Sequence, residues 1–554
     1  MTQQRGSAFG LTTAGLTTTG VSRRTLLKGS LFGAAVVAFG SQVLTACSTG
    51  GGAAPAAGGP AVPLPTYVEP VKPPPLLAGN AEGLMDVYGS FPMDGARTVT
   101  EPVGDGGEFE FLVMTYGQPA PPVEENAYWQ TLNEELNLEI KPVLVPYADF
   151  ATKFPALVAA DDLPPVVSVP VYMNVSRLPE LAAAQFTDLS DHLSGDAVKK
   201  YPNLAGIQEY AWLNGYLGGR IYGVPKSDPV FGGQMYTKSD LFEAAGVSEH
   251  PESFDELTET LAALTDTTAG VYALASPITD FMLQMHGLPN KWSRGSDGTF
   301  TSSYEHPDFI PAIEEMAALY AAGYFHPDTA TMDKTQRDSL FRASKIAMTY
   351  DGNRAFGIIA DDRELVFGMM RSFGADGATP THWTGGGAYA ITMLKQTDDA
   401  AAIDRFLKVM NWLAAPFGSA ESFIASYGAE GSDYTIEDGV AILTEQGQRE
   451  QDLGFGYIAG GPQILCNPQG APGVDTAIYE WQESVIPLLT GNPAQHLYSA
   501  TQNSKGGSLE QAMTDAITAV FLGREQASSL QTAVATWKRN GGDKIAGEYG
   551  EADA

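Results

Sequence analysis

The run Phe109-Glu110-Phe111-Leu112-Val113-Met114 is the first of three β-rich segments that decide the fold class. Leu138 to Val145 is the second, and Val166-Val167-Ser168-Val169 is apolar enough to be buried on both faces. Helical segments follow the first two runs, and their apolar positions are Trp129, Leu132 and Leu136, then Phe150, Phe154 and Leu157. This strand-helix-strand-helix-strand order predicts an α/β fold with a largely parallel sheet and helices on its faces.

Further helices are predicted downstream. Ser253 and Glu256 have the spacing of a capping box ahead of a periodic apolar run. Two more amphipathic patterns cover residues 307–322 and 399–415, and we assign no chemistry to their apolar faces. The chain has 44% hydrophobic residues. It is too long for a single small domain, so we expect two lobes.

Charge and cysteine content exclude several classes of protein. The chain has 32 Lys+Arg against 65 Asp+Glu, a formal net charge of −33. Such a surface repels nucleic acid and anionic lipid, so we expect no nucleic-acid partner. The only cysteines are Cys47 and Cys466. Beyond the N-terminal region no stretch of about 18 apolar residues occurs, so the chain is not itself a permease.

The N-terminal region reads as an export signal. Arg23 and Arg24 precede an apolar run from Leu31 to Ala46, which is too short to remain as a membrane-spanning helix. Leu44-Thr45-Ala46-Cys47 has the form of a lipobox. We predict a twin-arginine lipoprotein signal peptide at residues 1–46, with Cys47 as the acylated N-terminus of the mature protein. The alternatives are a plain membrane anchor or a chance match.

A flexible tether is predicted after Cys47. Residues 48–80 are rich in Gly, Ala and Pro and hold almost no large apolar side chain, so they should stay extended and mobile. The predicted tether as a whole covers residues 47–107. It would hold the folded part, as a monomer, at the extracytoplasmic face of the cell membrane.

Motifs of the common enzymes are missing. The seven histidines form no H-E-x-x-H or other close pair on one helix face, and we predict no metal site. There is no G-x-S-x-G elbow, no phosphate-binding loop and no dinucleotide fingerprint, so we predict no cofactor. The glycine run Gly385–Gly387 suits a close approach of backbone to a neutral ligand. Paired carboxylates for glycoside hydrolysis stay open, because acidic residues are abundant.

Several segments in order resemble the extracellular solute-binding proteins of ABC importers, family 1 type, in particular the large oligosaccharide-binding lipoproteins related to alginate-oligosaccharide binders. The segments that carry the resemblance are GRIYGVP (219–225), YTKSDLFEAAGV (236–247), GLPNKW (287–292), DGTF (297–300), AALYAAGYFHPD (317–328), FRASKIAMTYDG (341–352) and YGAEGSDY (427–434). Together they cover roughly residues 109–439.

The sequence departs from this family at two places. Relatives often carry a calcium-binding loop where this chain has Leu264 to Gly270, which is shortened and keeps one carboxylate, so we predict no such site. Relatives often have a sugar-stacking tryptophan where this chain has Asn353, with Tyr350 nearby. Stacking on the sugar should therefore come from other residues.

The resemblance implies a two-lobed, periplasmic-binding-protein-like fold of type II, with the ligand in a cleft between lobes joined by two or three crossing strands. We predict lobe I at residues 108–230 plus about 383–430. Lobe II is predicted at residues 231–382 plus about 431–554.

Such a cleft needs aromatic planes for the faces of sugars and fixed polar groups for their hydroxyl rims. Each aromatic candidate has core packing as its alternative, and Tyr116, Trp292 and Trp383 rank highest because Gly or Pro neighbours place them at turns. The predicted ligand-binding residues are Tyr116, Gln118, Tyr172, Asn174, Asp228, Tyr236, Trp292, Tyr350, Asp351, Asn353, Arg354, Trp383 and Tyr457.

Our principal hypothesis is a non-enzymatic, membrane-tethered receptor that captures a carbohydrate, favouring a neutral oligosaccharide. Its lobes would close on the ligand, and the closed form would deliver it to ABC transporter permease subunits. A lipid-anchored glycoside hydrolase is the rival from another class, and it requires two carboxylates converging in the cleft. A surface adhesin is the third hypothesis, and it should lack a deep cleft.

Overall fold

The first sheet contains five strands and matches the predicted α/β pattern. A computed structural model describes residues 61–116, 119–173, 175–352 and 366–553, which belong to one compact unit. The first three strands are parallel, whereas the fourth in spatial order runs antiparallel to both of its neighbours. In spatial order the strands are Glu139–Pro146, Glu108–Thr115, Val166–Pro170, Ala388–Leu394 and Gly223–Ser227.

Apolar side chains bury this sheet on both faces, as expected for parallel strands. Phe111 and Val113 lie in one core, and Leu112 and Met114 lie in the other. Alternate residues of one strand therefore supply opposite faces. The helices of this lobe are Ala127–Leu136, Tyr147–Ala160, Leu178–Gln185, Ala400–Leu413 and Ala420–Tyr427, with shorter helices Ser190–Leu193, Pro202–Ala205 and Glu209–Trp212.

The second lobe is built on a three-stranded antiparallel sheet. Gln234–Lys238 is its central strand, between Met348–Asp351 and Phe367–Met369. A hairpin of Trp292–Arg294 and Phe300–Ser302 packs in the same core. The helices are Ser239–Ala245, Phe254–Ala263, Thr279–Met285, Phe309–Ala321, Lys334–Arg342, Val474–Val485, Ala500–Phe521, Ser529–Trp537 and Asp543–Asp553.

Three chain segments cross between the lobes, at residues 228–233, 384–387 and 459–465. The first two are joined where the Gly385 N–H donates to the Val230 carbonyl at 2.8 Å. The first and third meet where the Ser227 N–H donates to the Gly460 carbonyl at 3.3 Å. Hydrogen bonds between the crossing segments hold them side by side, so they form one hinge layer.

The C-terminal lobe boundary differs from the prediction. Residues 431–459 were assigned to lobe II, but Leu453, Phe455 and Ile458 belong to the core of the five-stranded sheet. Tyr434 also packs with Phe423 of lobe I. The predicted boundary followed sequence resemblance, which does not show packing. We propose that lobe II resumes after the third crossing segment.

The predicted flexible tether is wrong from residue 61 onward. Residues 61–99, here called the N-terminal strap, are docked on both lobes. The Val62 N–H donates to the Gly219 carbonyl at 3.0 Å, and Met85 and Val87 are buried in a lobe II core. The prediction weighted the Pro-rich composition and overlooked these few apolar side chains. Across the part of the chain that is described, no helix is long and apolar enough to cross a membrane.

Candidate sugar-binding site

Five tyrosines gather where the strands of lobe I end, and we call them the tyrosine cluster: Tyr116, Tyr147, Tyr172, Tyr389 and Tyr457. Tyr116 directly follows the strand Glu108–Thr115, and Tyr147 directly follows Glu139–Pro146. Tyr172 lies in the turn after Val166–Pro170. The carboxyl ends of parallel strands share one edge of a sheet, which is where open α/β sheets bind ligands.

The rings of the cluster are in mutual contact. Tyr116 stacks on Tyr147 with ring centroids 5.7 Å apart and meets Tyr457 edge-on at 6.0 Å. Tyr389 lies 5.2 Å from Tyr457 and 6.1 Å from Tyr172. Tyr147 is 47% exposed and Tyr172 45% exposed, so both rings face solvent. Supported aromatic surfaces that face solvent can stack on a sugar.

A chain of hydroxyls runs through the same cluster. The Tyr389 hydroxyl donates to the Tyr116 hydroxyl at 3.1 Å, and Tyr116 is hydrogen-bonded in turn to Tyr172. Burial raises the pKa of Tyr116 and the pKa of Tyr172 above the usual tyrosine range. Neutral phenols both donate and accept hydrogen bonds, which suits the hydroxyl rim of a sugar.

The hinge layer adjoins the cluster and adds polar groups. Ala388 pairs with Ser227, so Tyr389 lies one residue from the position where two crossing segments leave the sheet. Asp228 begins the first crossing segment, and the Gln463 side-chain amide of the third donates to its carboxylate at 3.2 Å. A Cβ on Gly387 would lie 2.4 Å from the Tyr210 ring, so this position of the glycine run requires close backbone approach.

Lobe II contributes a second group of residues close to the hinge. A Cβ on Gly233 would lie 2.6 Å from the Tyr350 ring, so that ring lies against the first crossing segment. The Tyr350 hydroxyl accepts from the Gln284 amide at 2.9 Å. Asp351 forms an ion pair with Lys334 at 2.5 Å and lies 3.7 Å from Arg337. These polar side chains are already paired with one another.

The structure buries three of the aromatic candidates in lobe II. Trp292 is 7% exposed, and its ring packs on Trp537 and Tyr549 from the C-terminal helices. Trp383 is 9% exposed and donates its indole N–H to the Leu288 carbonyl. Tyr236 is fully buried on the central strand. Their faces are covered by protein, so all three are dropped from the proposed site.

Four further predicted binding residues, Gln118, Asn174, Asn353 and Arg354, lie outside the described residues, as does Cys47. Two members of the cluster, Tyr147 and Tyr389, were missed. Tyr147 could have been found from its place directly after a predicted strand. Tyr389 follows the glycine run closely, but its position on a strand inserted between two others comes only from tertiary structure.

No metal site is apparent in the described ranges, where no three His, Cys, Asp or Glu side chains come together. In the shortened loop, the one carboxylate expected there is already used, because Asp266 accepts from the backbone N–H groups of Thr268 and Ala269.

Comparison with known proteins defines the class. A two-lobed fold with three crossing segments is shared with solute-binding proteins of solved structure. The alginate-binding protein AlgQ2 matches with a TM-score of 0.62 at 12% identity, covering 82% of this chain and 99% of that one. The N-glycan transport solute-binding protein NgtS of Streptococcus pneumoniae, in complex with Man5GlcNAc, matches with a TM-score of 0.57 at 14% identity, covering 81% and 98%.

Sequence comparison identifies the family. Residues 119–416 match the bacterial extracellular solute-binding protein family, and the chain belongs to it. The polygalacturonan/rhamnogalacturonan-binding protein YtcQ of Bacillus subtilis is 25% identical over 474 residues, which is 80% of this chain and 91% of that protein. Lipoprotein LipO of the same organism is 21% identical over 77% of this chain and 88% of its own length.

Proposed function

We propose that this protein captures an oligosaccharide outside the cell membrane and delivers it to the permease of an ABC transporter. The tyrosine cluster is the single observation that carries the proposal. It offers solvent-facing rings and linked phenol hydroxyls at the carboxyl edge of a sheet, beside the hinge layer. The carbohydrates named for the sequence relative and for the structural neighbours support the same ligand class.

We further propose that no bond is broken. The phenols of the cluster remain protonated at neutral pH, because burial raises the pKa of Tyr116 and of Tyr172. Neutral phenols bind hydroxyl groups, whereas glycoside hydrolysis requires two carboxylates placed across the scissile bond. Membership in a family of binding proteins supports binding without turnover.

The ligand is proposed to be neutral. The cluster presents uncharged phenols, and the cations Lys334 and Arg337 beside Asp351 are matched by that carboxylate. The net charge of −33 would also repel a polyanion. Attachment to the outer face of the membrane through acylated Cys47, and action as a monomer, are parts of the same proposal.

A thermal-shift panel tests this function. The protein with Cys47→Ser, without its signal peptide, is heated with neutral oligosaccharides, uronic-acid oligomers or peptides. We expect stabilisation by at least one neutral oligosaccharide, because a ligand that binds only the folded state raises the melting temperature. Stabilisation by uronic-acid oligomers alone would reject neutrality and keep the sugar. Stabilisation by peptides alone would reject the sugar.

Turnover is measured separately. The bound oligosaccharide is incubated with the protein and recovered for mass spectrometry. Recovery of the intact sugar is the expected result. Shorter products, absent from a heat-denatured control, would replace the receptor with the hydrolase.

A further inference from the structure

The N-terminal strap lies before the family match, which begins at residue 119. Its first part rests on lobe I alone. The Thr66 N–H donates to the Gly195 carbonyl at 2.9 Å, and the Val68 N–H donates to the Ala205 carbonyl at 2.8 Å. Up to Val68 the strap can therefore move with lobe I as one body.

The next part of the strap reaches lobe II. Residues 76–88 turn back on themselves, with the Val87 N–H donating to the Leu77 carbonyl at 2.9 Å, and we call them the strap hairpin. The Met85 N–H donates to the Gln482 side chain at 3.2 Å, and the Tyr479 hydroxyl donates to the Ala78 carbonyl at 2.9 Å. Both acceptor and donor side chains come from the lobe II helix Val474–Val485.

The strap hairpin also joins the hinge layer itself. The Tyr88 N–H donates to the Leu465 carbonyl at 2.8 Å, and the Leu465 N–H donates to the Asp86 carbonyl at 2.9 Å. Leu465 lies in the third crossing segment and is fully buried. On its other side, Gly83 approaches the first crossing segment so closely that a Cβ there would lie 2.2 Å from the Val230 side chain. The hairpin is thus a fourth strand-like member of the hinge.

The same hairpin touches lobe I again through an aromatic contact. The Tyr88 ring packs on Phe417 with centroids 4.2 Å apart, and Tyr88 is 4% exposed. Phe417 lies between the lobe I helices Ala400–Leu413 and Ala420–Tyr427. Beyond the hairpin, the Val99 N–H donates to the buried Glu421 carboxylate at 2.8 Å, which returns the strap to lobe I.

We propose that the strap hairpin is a brace that restricts rotation of the two lobes and so regulates sugar affinity at the cleft. It is held to lobe II through Met85 and to lobe I through Tyr88. A rotation of the lobes must therefore break or strain one of these contacts. Restricting the resting protein to fewer lobe arrangements lowers the entropy lost when ligand fixes one of them. The effect on affinity, unlike the brace itself, rests on the proposed function.

Interlobe distances test the brace without any ligand. Spin labels are attached to cysteines placed at Glu139 of lobe I and Ser293 of lobe II, in protein with Cys47→Ser and Cys466→Ser. Double electron–electron resonance then reports the distance distribution between the lobes. Tyr88→Ala should widen this distribution, and Tyr67→Ala, on the part of the strap that rests on lobe I, should leave it unchanged.

Phe417→Leu removes the same ring contact from the lobe I side while keeping apolar volume, so it serves if Tyr88→Ala does not fold. Distributions as narrow as the wild type in folded Tyr88→Ala or Phe417→Leu protein overturn the brace. In the widened variants, the affinity for the sugar found in the thermal-shift panel should fall several-fold. Unchanged affinity despite a widened distribution overturns the regulatory role. If no sugar binds at all, the distance measurement still decides the brace, so the two proposals fail separately.

Discussion

Aromatic residues beside turns have opposite fates in the two lobes. Tyr116 and Tyr172 of lobe I stand at the open edge of a parallel sheet, with one flank on other tyrosines. Trp292 of lobe II also follows a turn, but the C-terminal helices bring Trp537 and Tyr549 onto its ring. Aromatic type and a nearby Gly or Pro are therefore insufficient to identify a sugar-stacking ring. What decides is whether a later part of the chain covers it.

The largest expected effect breaks the lobe II side of this comparison. Trp292→Ala should lower the free energy of unfolding by about 3–5 kcal/mol, because a large buried ring is removed from a packed core. Chemical denaturation measures the loss. Trp292→Phe should lose less, and Tyr147→Ala, at the exposed edge of lobe I, should change stability by less than about 1 kcal/mol. Equal losses at Trp292 and Tyr147 would contradict the contrast between interior and edge.

His382, next to Trp383, gives the lobe II interior a pH dependence. It is 3% exposed between Phe231 and Trp481, and burial lowers its pKa from 6.5 to about 4. The unfolded chain takes up a proton near pH 6.5 and the folded protein only near pH 4, so stability falls as pH drops across this window. The histidine contribution to this fall is about 3 kcal/mol.

His382→Phe isolates that contribution. Denaturation curves of wild type and variant between pH 7 and pH 4 should diverge, with the wild type losing more stability toward acid. His192→Gln, a control in lobe I, should follow the wild type. Parallel curves for wild type and His382→Phe would show that this imidazole is protonated equally in both states.

On the lobe I side, Tyr172→Ala should weaken sugar binding with little change in stability. The ring is 45% exposed, so its removal should cost less than about 1 kcal/mol of folding free energy. A central aromatic contact is worth about 2 kcal/mol of binding, close to a 30-fold loss of affinity. Titration calorimetry measures the loss, and the equally exposed Ile436→Ala is the control. Wild-type affinity in Tyr172→Ala would remove the cluster from the site.

The smallest effect is expected from Tyr116→Phe. It deletes the central hydroxyl between Tyr389 and Tyr172 while the rings stay in place. Loss of one hydrogen bond should reduce affinity by about 1 kcal/mol, close to fivefold. Tyr128→Phe, which removes a lobe I hydroxyl bonded to the Ala425 carbonyl, should leave affinity unchanged. A larger effect from Tyr128 than from Tyr116 would mean that the hydroxyl chain only supports the fold.

Sequence reasoning predicted the fold better than the site. The strands near Phe111, Val143 and Val167 and their intervening helices follow from local periodicity, which the parallel register confirms. The site could not be predicted as well, because three aromatic candidates are buried by segments distant in sequence. The strap was mispredicted because its composition was averaged, whereas a few buried side chains such as Met85 and Val87 hold it in place.

By itself, the sequence determined the α/β pattern of the first sheet, the acidic surface and, through its motifs, the family, because these depend on residue type and short-range spacing. Tertiary structure alone decided that Ala388–Leu394 enters the first sheet between two earlier strands and brings Tyr389 to the cluster. It also decided that the strap braces both lobes. Each of these features joins residues hundreds of positions apart, and such contacts depend on the packing of the whole chain.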